Sequence, residues 1–435
     1  MHAPLRFTFV LTRYGPRVLG GGEKLARDVA ERLAARGHDV RVLTTCATRY
    51  TNWANELPAG VEDVGGVEVR RFPVRIGRLR PLDAVAKEAT SFLPRIELLG
   101  RLWAWCQGPF VPGLVRACVR EAPDRDLTVF FSWLYLPGQQ ALARIGPRSA
   151  LVPLVHEEPP LYTTVARATL QLPRMLFVNT EEEWARIERI TGKEAPVAAI
   201  VAVGADPPPP RNPDFVPPTS DPYLLVLGRS GKAKPVLSLW RALADRAASS
   251  SAQLELEDGP HVGWERLKLV TVGETSRAYD GIPGVVQLGF VDEATRWQLL
   301  WNCIALVNPS VHESLSLVLL EAWSCGRPVI VHQRCDVTVG QVHRSGGGIA
   351  IGFDEPLLGA VQLQEGLASA GRRTAMGRAG RAYVTRRYRW DHVLDAYEAA
   401  AQAMRAGGSI AAALSPWSPP VEPAARPAMA AVANT

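Results

Sequence analysis

Cysteine is scarce in this 435-residue chain and follows no pattern. The six residues, Cys46, Cys106, Cys118, Cys303, Cys325 and Cys335, contain no C-x-x-C pair and have no spaced histidine pair beside them. That excludes the usual zinc and redox motifs, and the expectation is buried small hydrophobes in a reducing compartment. Long apolar runs are also missing, since none approaches the roughly 18 residues a membrane span requires. The first apolar stretch, Phe7 to Leu11, is broken by Thr8 and stops at Thr12-Arg13. It has no small-residue cleavage site, so no secretory leader is expected and the cytoplasm is the expected location.

What remains is an ordinary globular balance, with 47% hydrophobic and 21% charged residues. A chain of this length exceeds what one core serves, which implies two domains. The net charge of +6 is unevenly spread: between Arg70 and Arg120, ten Arg and Lys stand against three acids. Phe92, Trp103, Trp105 and Phe110 are interleaved with them. Such a mixture suits nucleic acid, an anionic membrane or a phosphorylated lipid, or it is a solvated basic face over a core. No recognised nucleic-acid motif accompanies it, and nucleic acid is not an expected partner.

The chain opens with an apolar strand, Phe7 to Leu11, then a glycine-rich loop, then a helical face of Leu25, Val29 and Leu33. Gly37-His38 stops the helix, and Val40 to Leu43 reads as the next strand. Strand, glycine turn, helix, strand is a βαβ unit, and such units imply a parallel sheet. Further strands are predicted at 127–131, 150–155, 175–178 and 198–203. The run from Asp206 to Pro222, DPPPPRNPDFVPPTSDP, is too rich in proline for either element and reads as a semi-rigid connector. The pattern then restarts, with strands predicted at 223–227, 267–272, 285–288, 304–307 and 329–331 and a helix at 236–247. The reading is therefore two α/β halves, 1–205 and 223–388, facing each other across a cleft and joined by the 206–222 linker. A last helix at 389–406 and an Ala/Pro/Ser-rich tail at 407–435, expected to be disordered, complete it.

Four segments carry chemistry. The first runs from Pro309 to Ile330, where a strand feeds a polar loop and a helix begins near Ser314 to Ser316, whose hydroxyls can cap free amides. The amino end of that helix suits a diphosphate. Glu321, about two turns inside an apolar helix, needs a partner, and ribose hydroxyls would serve. Eight helical residues turn through about 800°, so Glu313 and Glu321 reach one site only if Glu313 lies in the loop. A surface salt bridge is the plainer alternative. The second is Gly228-Arg229-Ser230-Gly231-Lys232-Ala233-Lys234 after a strand, a sensible anion cradle though basic loops are common. The third is Gly20-Gly21-Gly22-Glu23, which lets backbone approach a ligand or simply makes the turn. The fourth is His156, followed by Glu157 and Glu158; a lone histidine is more often structural.

In these segments the sequence resembles retaining glycosyltransferases of the two-Rossmann-domain GT-B fold, nearest to glycosyltransferase family 4. The segment 309–330 looks like that family's E-x₇-E signature. The resemblance implies that Glu313 faces the donor sugar and Glu321 the ribose, with Ser314, Leu315, Ser316 and Leu317 contributing around the donor. The family usually has Gly-Phe-Gly where Ser314-Leu315-Ser316 stands, and glycine where Pro235 stands. Gly228, Arg229 and Lys234 match the G-R-x₄-K pattern, in which Arg and Lys neutralise the departing diphosphate. Gly21 and Gly22 then line the donor phosphate, His156 reaches the donor sugar and Phe290 lies near the base.

The implied reaction is transfer with retention from a nucleotide-diphosphate sugar to a glycan or polyprenyl-linked acceptor, with no metal or other cofactor. Segment 74–120 is the expected acceptor-side or peripheral membrane contact, at the inner face of the cell membrane. An epimerase on the same fold and a non-catalytic partner subunit are the rival readings.

Overall fold

The structure, a computed structural model, describes residues 3–18, 20–228, 233–249, 251–257 and 259–419. The chain divides into two compact units, Met1–Val203 with Asp391–Thr435, and Gly204–Trp390.

In the first unit one sheet contains β1 (Arg6–Val10), β2 (Asp39–Thr45), β3 (Gly60–Val64), β4 (Val67–Phe72), β5 (Leu127–Phe131), β6 (Ser149–Val152), β7 (Met175–Val178) and β8 (Val197–Ile200). Their order is β3-β4-β2-β1-β5-β6-β7-β8, parallel throughout except where β3 pairs with β4. The strands are nearly continuous apolar runs, LTVFF in β5 and MLFV in β7, and every one of those residues is buried. That is the pattern of a parallel sheet covered on both faces. The covering helices are α1 (Gly21–Ala35), α2 (Arg80–Phe92), α3 (Glu97–Gln107), α4 (Pro112–Glu121), α5 (Leu136–Ile145), α6 (Thr164–Gln171) and α7 (Glu181–Thr191). The α1 stripe of Leu25, Val29 and Leu33 is buried, as the helical spacing predicts.

The second unit has β9 (Tyr223–Gly228), a small hairpin of β10 (Gln253–Leu254) and β11 (Val262–Gly263), then β12 (Lys268–Gly273), β13 (Val285–Gln287), β14 (Ala305–Asn308), β15 (Val329–His332) and β16 (Gly348–Ile351). Its main sheet runs β13-β12-β9-β14-β15-β16, all parallel. The helices are α8 (Ala233–Ala248), α9 (Glu293–Asn302), α10 (Leu317–Ser324), α11 (Asp336–Ser345), α12 (Pro356–Leu367) and α13 (Ala370–Arg387).

Along the chain that sheet order is 3-2-1-4-5-6, the doubly wound arrangement of dinucleotide-binding folds. In the first unit β4-β2-β1-β5-β6-β7 repeats it. Winding reverses beside the first strand of each set, so the switch points lie at β1/β5 and β9/β14. Ligands in such sheets bind outside the carboxyl ends of the strands at that point.

Two expectations are corrected, and the Pro-rich connector is tied to α9: Gln298 accepts from the Asn212 amide (2.8 Å) and donates to the Pro210 carbonyl (3.0 Å), and Trp301 donates to that of Pro209 (2.9 Å). Proline leaves carbonyls without a local N–H partner, and α9 supplies the donors. The tail is not disordered from 407. After α14 (Trp390–Ala406), α15 (Ile410–Ala413) buries Ile410, and Leu414 behind it is fully buried. Trp417 then donates to the His392 carbonyl at 2.9 Å. Lastly, α10 begins at Leu317, placing Glu321 little more than one turn inside it.

Candidate active site

In the second unit, β14 ends in Asn308, which is 2% exposed. Its side-chain amide donates to the Ser316 hydroxyl (2.9 Å) and to the Glu313 carboxylate (3.3 Å), while its carbonyl oxygen accepts from the Ser310 amide (3.1 Å). Asn308 therefore shapes the whole loop from residue 309 to 316. Because its hydroxyl serves Asn308, Ser316, the N-cap residue of α10, makes no capping bond to the helix amides, contrary to the capping expected of it. Ser314 is also buried, whereas Glu313, Leu315 and Leu317 are half-buried. A helix end without a side-chain cap leaves amide donors and partial positive charge for an anion.

Glu313 thus stands in the loop and Glu321 in the helix. The partner that a carboxylate on this apolar helix requires is Arg296 of α9, which forms an ion pair with Glu321 and also lies 5.1 Å from the Trp297 ring centroid. Nothing in the sequence spacing singles out Arg296.

The basic loop follows β9, the strand next to β14. Gly228 closes β9, and Lys234 is exposed in the first turn of α8. Arg229 and Lys232 lie outside the described residues. A lysine at a helix amino end sits against the helix dipole, a poor location for stability and a good one for gathering an anion. A glycine closes the neighbouring strand β12 too. Gly273 ends β12 with φ +117, and a Cβ there would lie 2.3 Å from the Gly228 carbonyl. Only glycine lets these strand ends approach so closely. Phe290, two residues beyond β13's neighbour Leu288, is 71% exposed.

In the first unit Gly21, exposed, and Gly22, half-buried, open α1 after the loop from β1. A Cβ on Gly22 would meet Leu154 Cδ1 at 2.5 Å. Glu23 forms an ion pair with Arg13, whose guanidinium also donates to the Thr48 carbonyl (3.3 Å) and lies 5.2 Å from the Tyr50 ring centroid. Sequence reasoning missed Arg13, since no short motif links it to the glycines.

His156 lies half-buried in the loop after β6. The loop is held from behind by Glu183, a fully buried residue whose carboxylate accepts from the Val155 amide (2.6 Å) and the Asn179 amide (2.7 Å). Leu154, just before it, adopts φ +55, a conformation that persists only where neighbours impose it. Burial pushes the Glu183 carboxyl up to about 7 despite those amides. The sequence did offer a sign, Thr180-x-x-Glu183, a capping-box spacing at the start of α7. Next door, burial works to raise the pKa of Glu157, but the Tyr162 hydroxyl and the Arg186 guanidinium (2.8 Å) prevail and hold it below the usual range. Glu158 pairs with Lys87 at 3.3 Å. These two glutamates, Tyr162, Thr90 and Ser91 line a cavity of about 390 Å³.

All six cysteines are buried thiols, and burial pushes Cys118 and Cys303 up to about 12, so neither is a nucleophile. One Asp-x-Asp does occur, Asp124-Arg125-Asp126, but Asp126 accepts from the Arg405 side chain and the Arg6 amide. Among the described residues no group of three His, Cys, Asp or Glu is placed to hold a metal ion. No described helix is long and apolar enough to cross a membrane.

Residues 222–354 match the family model of glycosyl transferases group 1. The chain is 26% identical over 424 residues to a D-inositol 3-phosphate glycosyltransferase of Segniliparus rotundus, covering 90% of this chain and 86% of the relative. Among solved structures, sucrose-phosphate synthase from Thermosynechococcus elongatus superposes with a TM-score of 0.66 at 18% identity, covering 93% of this chain and 100% of that one. An E. coli trehalose-6-phosphate structure bound with UDP-2-fluoro glucose gives 0.63 at 13% identity, covering 91% and 99%. At such identities the structural likeness is one of fold.

Proposed function

We propose that this chain, a glycosyltransferase of the GT-B fold, transfers a sugar from a nucleoside-diphosphate sugar with retention of anomeric configuration and without a metal ion. The observation that carries the reading is the placement of both donor motifs at the ends of adjacent strands. Gly228 closes β9, Asn308 closes β14 beside it, and Asn308 ties Glu313 and Ser316 together at that switch point.

In this reading the bond from the anomeric carbon to the diphosphate oxygen breaks as the acceptor hydroxyl oxygen bonds to the same face. The charge growing on the leaving phosphate is taken up by Arg229, Lys234 and the amides at the start of α10, groups oriented before reaction begins. The acceptor's proton passes to the departing phosphate oxygen, so no side chain need act as base. Glu313 and His156 face the sugar, Glu321 the ribose, and Phe290 stacks near the base. Gly21 and Gly22 admit the donor phosphates.

The acceptor is a hydroxyl of a glycan or a polyprenyl-linked saccharide. The cavity lined by Glu157, Glu158 and Tyr162 supports this, because these side chains offer hydrogen-bonding oxygens to sugar hydroxyls. The test is the anomeric configuration of the product, read from the proton coupling in its NMR spectrum with EDTA present. An α-donor giving an α-product in EDTA is the expected result; a β-product, or turnover abolished by EDTA, overturns the mechanism.

A further inference from the structure

Large hydrophobic side chains exposed to solvent are not scattered over this molecule. Of fifteen among the described residues, nine lie between Ile76 and Trp105. Helices α2 and α3 pack on each other and form a hairpin there. In α2, Leu82, Val85 and Phe92 project within about 80° of one another. In α3, Leu98, Leu102 and Trp105 fall within about 60°. The turn between the helices adds Leu93 and Ile96.

These stripes are surplus to the core, because other faces of the same helices are already buried. Ala86 and Thr90 of α2 are covered, and Trp103 of α3 packs on Trp133 with ring centroids 6.1 Å apart. Gly100 lies so close to α6 that a Cβ would meet Val165 at 3.2 Å, so α3 has no room to roll its outer stripe inward. Contiguous exposed apolar surface of this kind marks a contact site.

Charge selects the occupant. Between Arg75 and Gln107 six Arg and Lys stand against three acids, and Arg75, Arg80, Arg95 and Arg101 are exposed around the stripes. An apolar face rimmed by cations fits the interface of an anionic bilayer, where the side chains enter the acyl boundary and the cations meet headgroups. A second copy would set two positive rims against each other. We infer that the outer face of the α2–α3 hairpin docks this protein on anionic lipid. The structure thereby redraws the aromatic part of the basic segment: Phe92 and Trp105 face outward, whereas Trp103 is buried and Phe110 half-buried.

The inference rests on the lipid-linked acceptor of the proposed function only for its purpose, and docking is measured without sugar transfer. The full chain is floated with phosphatidylcholine vesicles, with and without phosphatidylglycerol, and its sedimentation is measured in parallel. Wild type should bind the phosphatidylglycerol vesicles and lose binding in high salt. The double variant Phe92→Glu/Leu98→Glu should bind at least about tenfold more weakly while melting like wild type, both positions being exposed. Donor hydrolysis in solution should be the same for both proteins. Equal binding by wild type and variant, no binding by either, or a wild-type dimer that the variant dissolves would overturn the inference.

Discussion

Glu183 shows what a single buried carboxylate does for a loop. Both its oxygens are engaged by backbone amides, and through Val155 it holds the turn that presents His156. Its folded pKa of about 7 exceeds the ordinary 4.5. The stability it contributes is therefore fully present below pH 4.5 and lost as pH rises through about 7, by about 3 kcal/mol. Melting curves of wild type and Glu183→Gln should show this as a difference: the advantage of wild type shrinks between those pH values. Asp126, whose pKa is lowered, acts oppositely in both proteins and cancels in the comparison. Asn308 is the counterpart in the second unit. Asn308→Ala should lower kcat/KM about 30-fold, the equivalent of about 2 kcal/mol, by releasing Glu313 and Ser316. Glycines, basic loops and the E-x₇-E spacing are legible as local strings. Asn308, Arg13 and Arg296 are not, because each is defined by a partner that only the folded chain brings near.

At the scale of elements, the helix carrying Glu321 is located by a tryptophan. Trp323 of α10 is fully buried, donates to the Gly347 carbonyl at 2.8 Å and packs edge-on against Tyr383 of α13. A Cβ on Gly380 of α13 would come within 2.2 Å of its ring. Gly380→Ala should therefore destabilise the protein by about 2 kcal/mol and raise KM for the donor, checked by denaturant melts and kinetics. The strands of both sheets were legible as apolar runs, usually to within a few residues. Strands β3, β4 and β16 were not: Gly60–Val64 reads GVEDV, mostly exposed and polar on a sheet edge, Val67–Phe72 mixes valines with charged residues, and Gly348–Ile351 is a short, half-buried run on the other sheet's edge. The α2–α3 hairpin was legible in composition only: its basic and aromatic content showed in the sequence, while which aromatics face outward depends on packing.

At the scale of the whole molecule, the strand order 3-2-1-4-5-6 occurs in each unit, and in the second it sets Gly228 and Asn308 at the ends of adjacent strands at the switch point. The two α/β halves were legible because parallel strands repeat with helices between them. The carboxyl-terminal segment was not, because Ala, Pro and Ser look disordered until Ile410 and Leu414 find buried positions. Removing residues after Gly407 should cost about 3 kcal/mol, because it deletes those two buried side chains and uncovers the apolar surface they pack on, measured as a lowered Tm. The central claim is sugar transfer from a nucleotide donor by the machinery at β9 and β14. Its most direct test is release or transfer of labelled sugar from UDP-, GDP-, ADP- and TDP-sugars in EDTA, comparing wild type with Glu313→Ala and Lys234→Ala. The account predicts turnover of one donor by wild type and its loss in both variants. Nucleotide binding without turnover of any donor, or turnover that survives both substitutions, would contradict it.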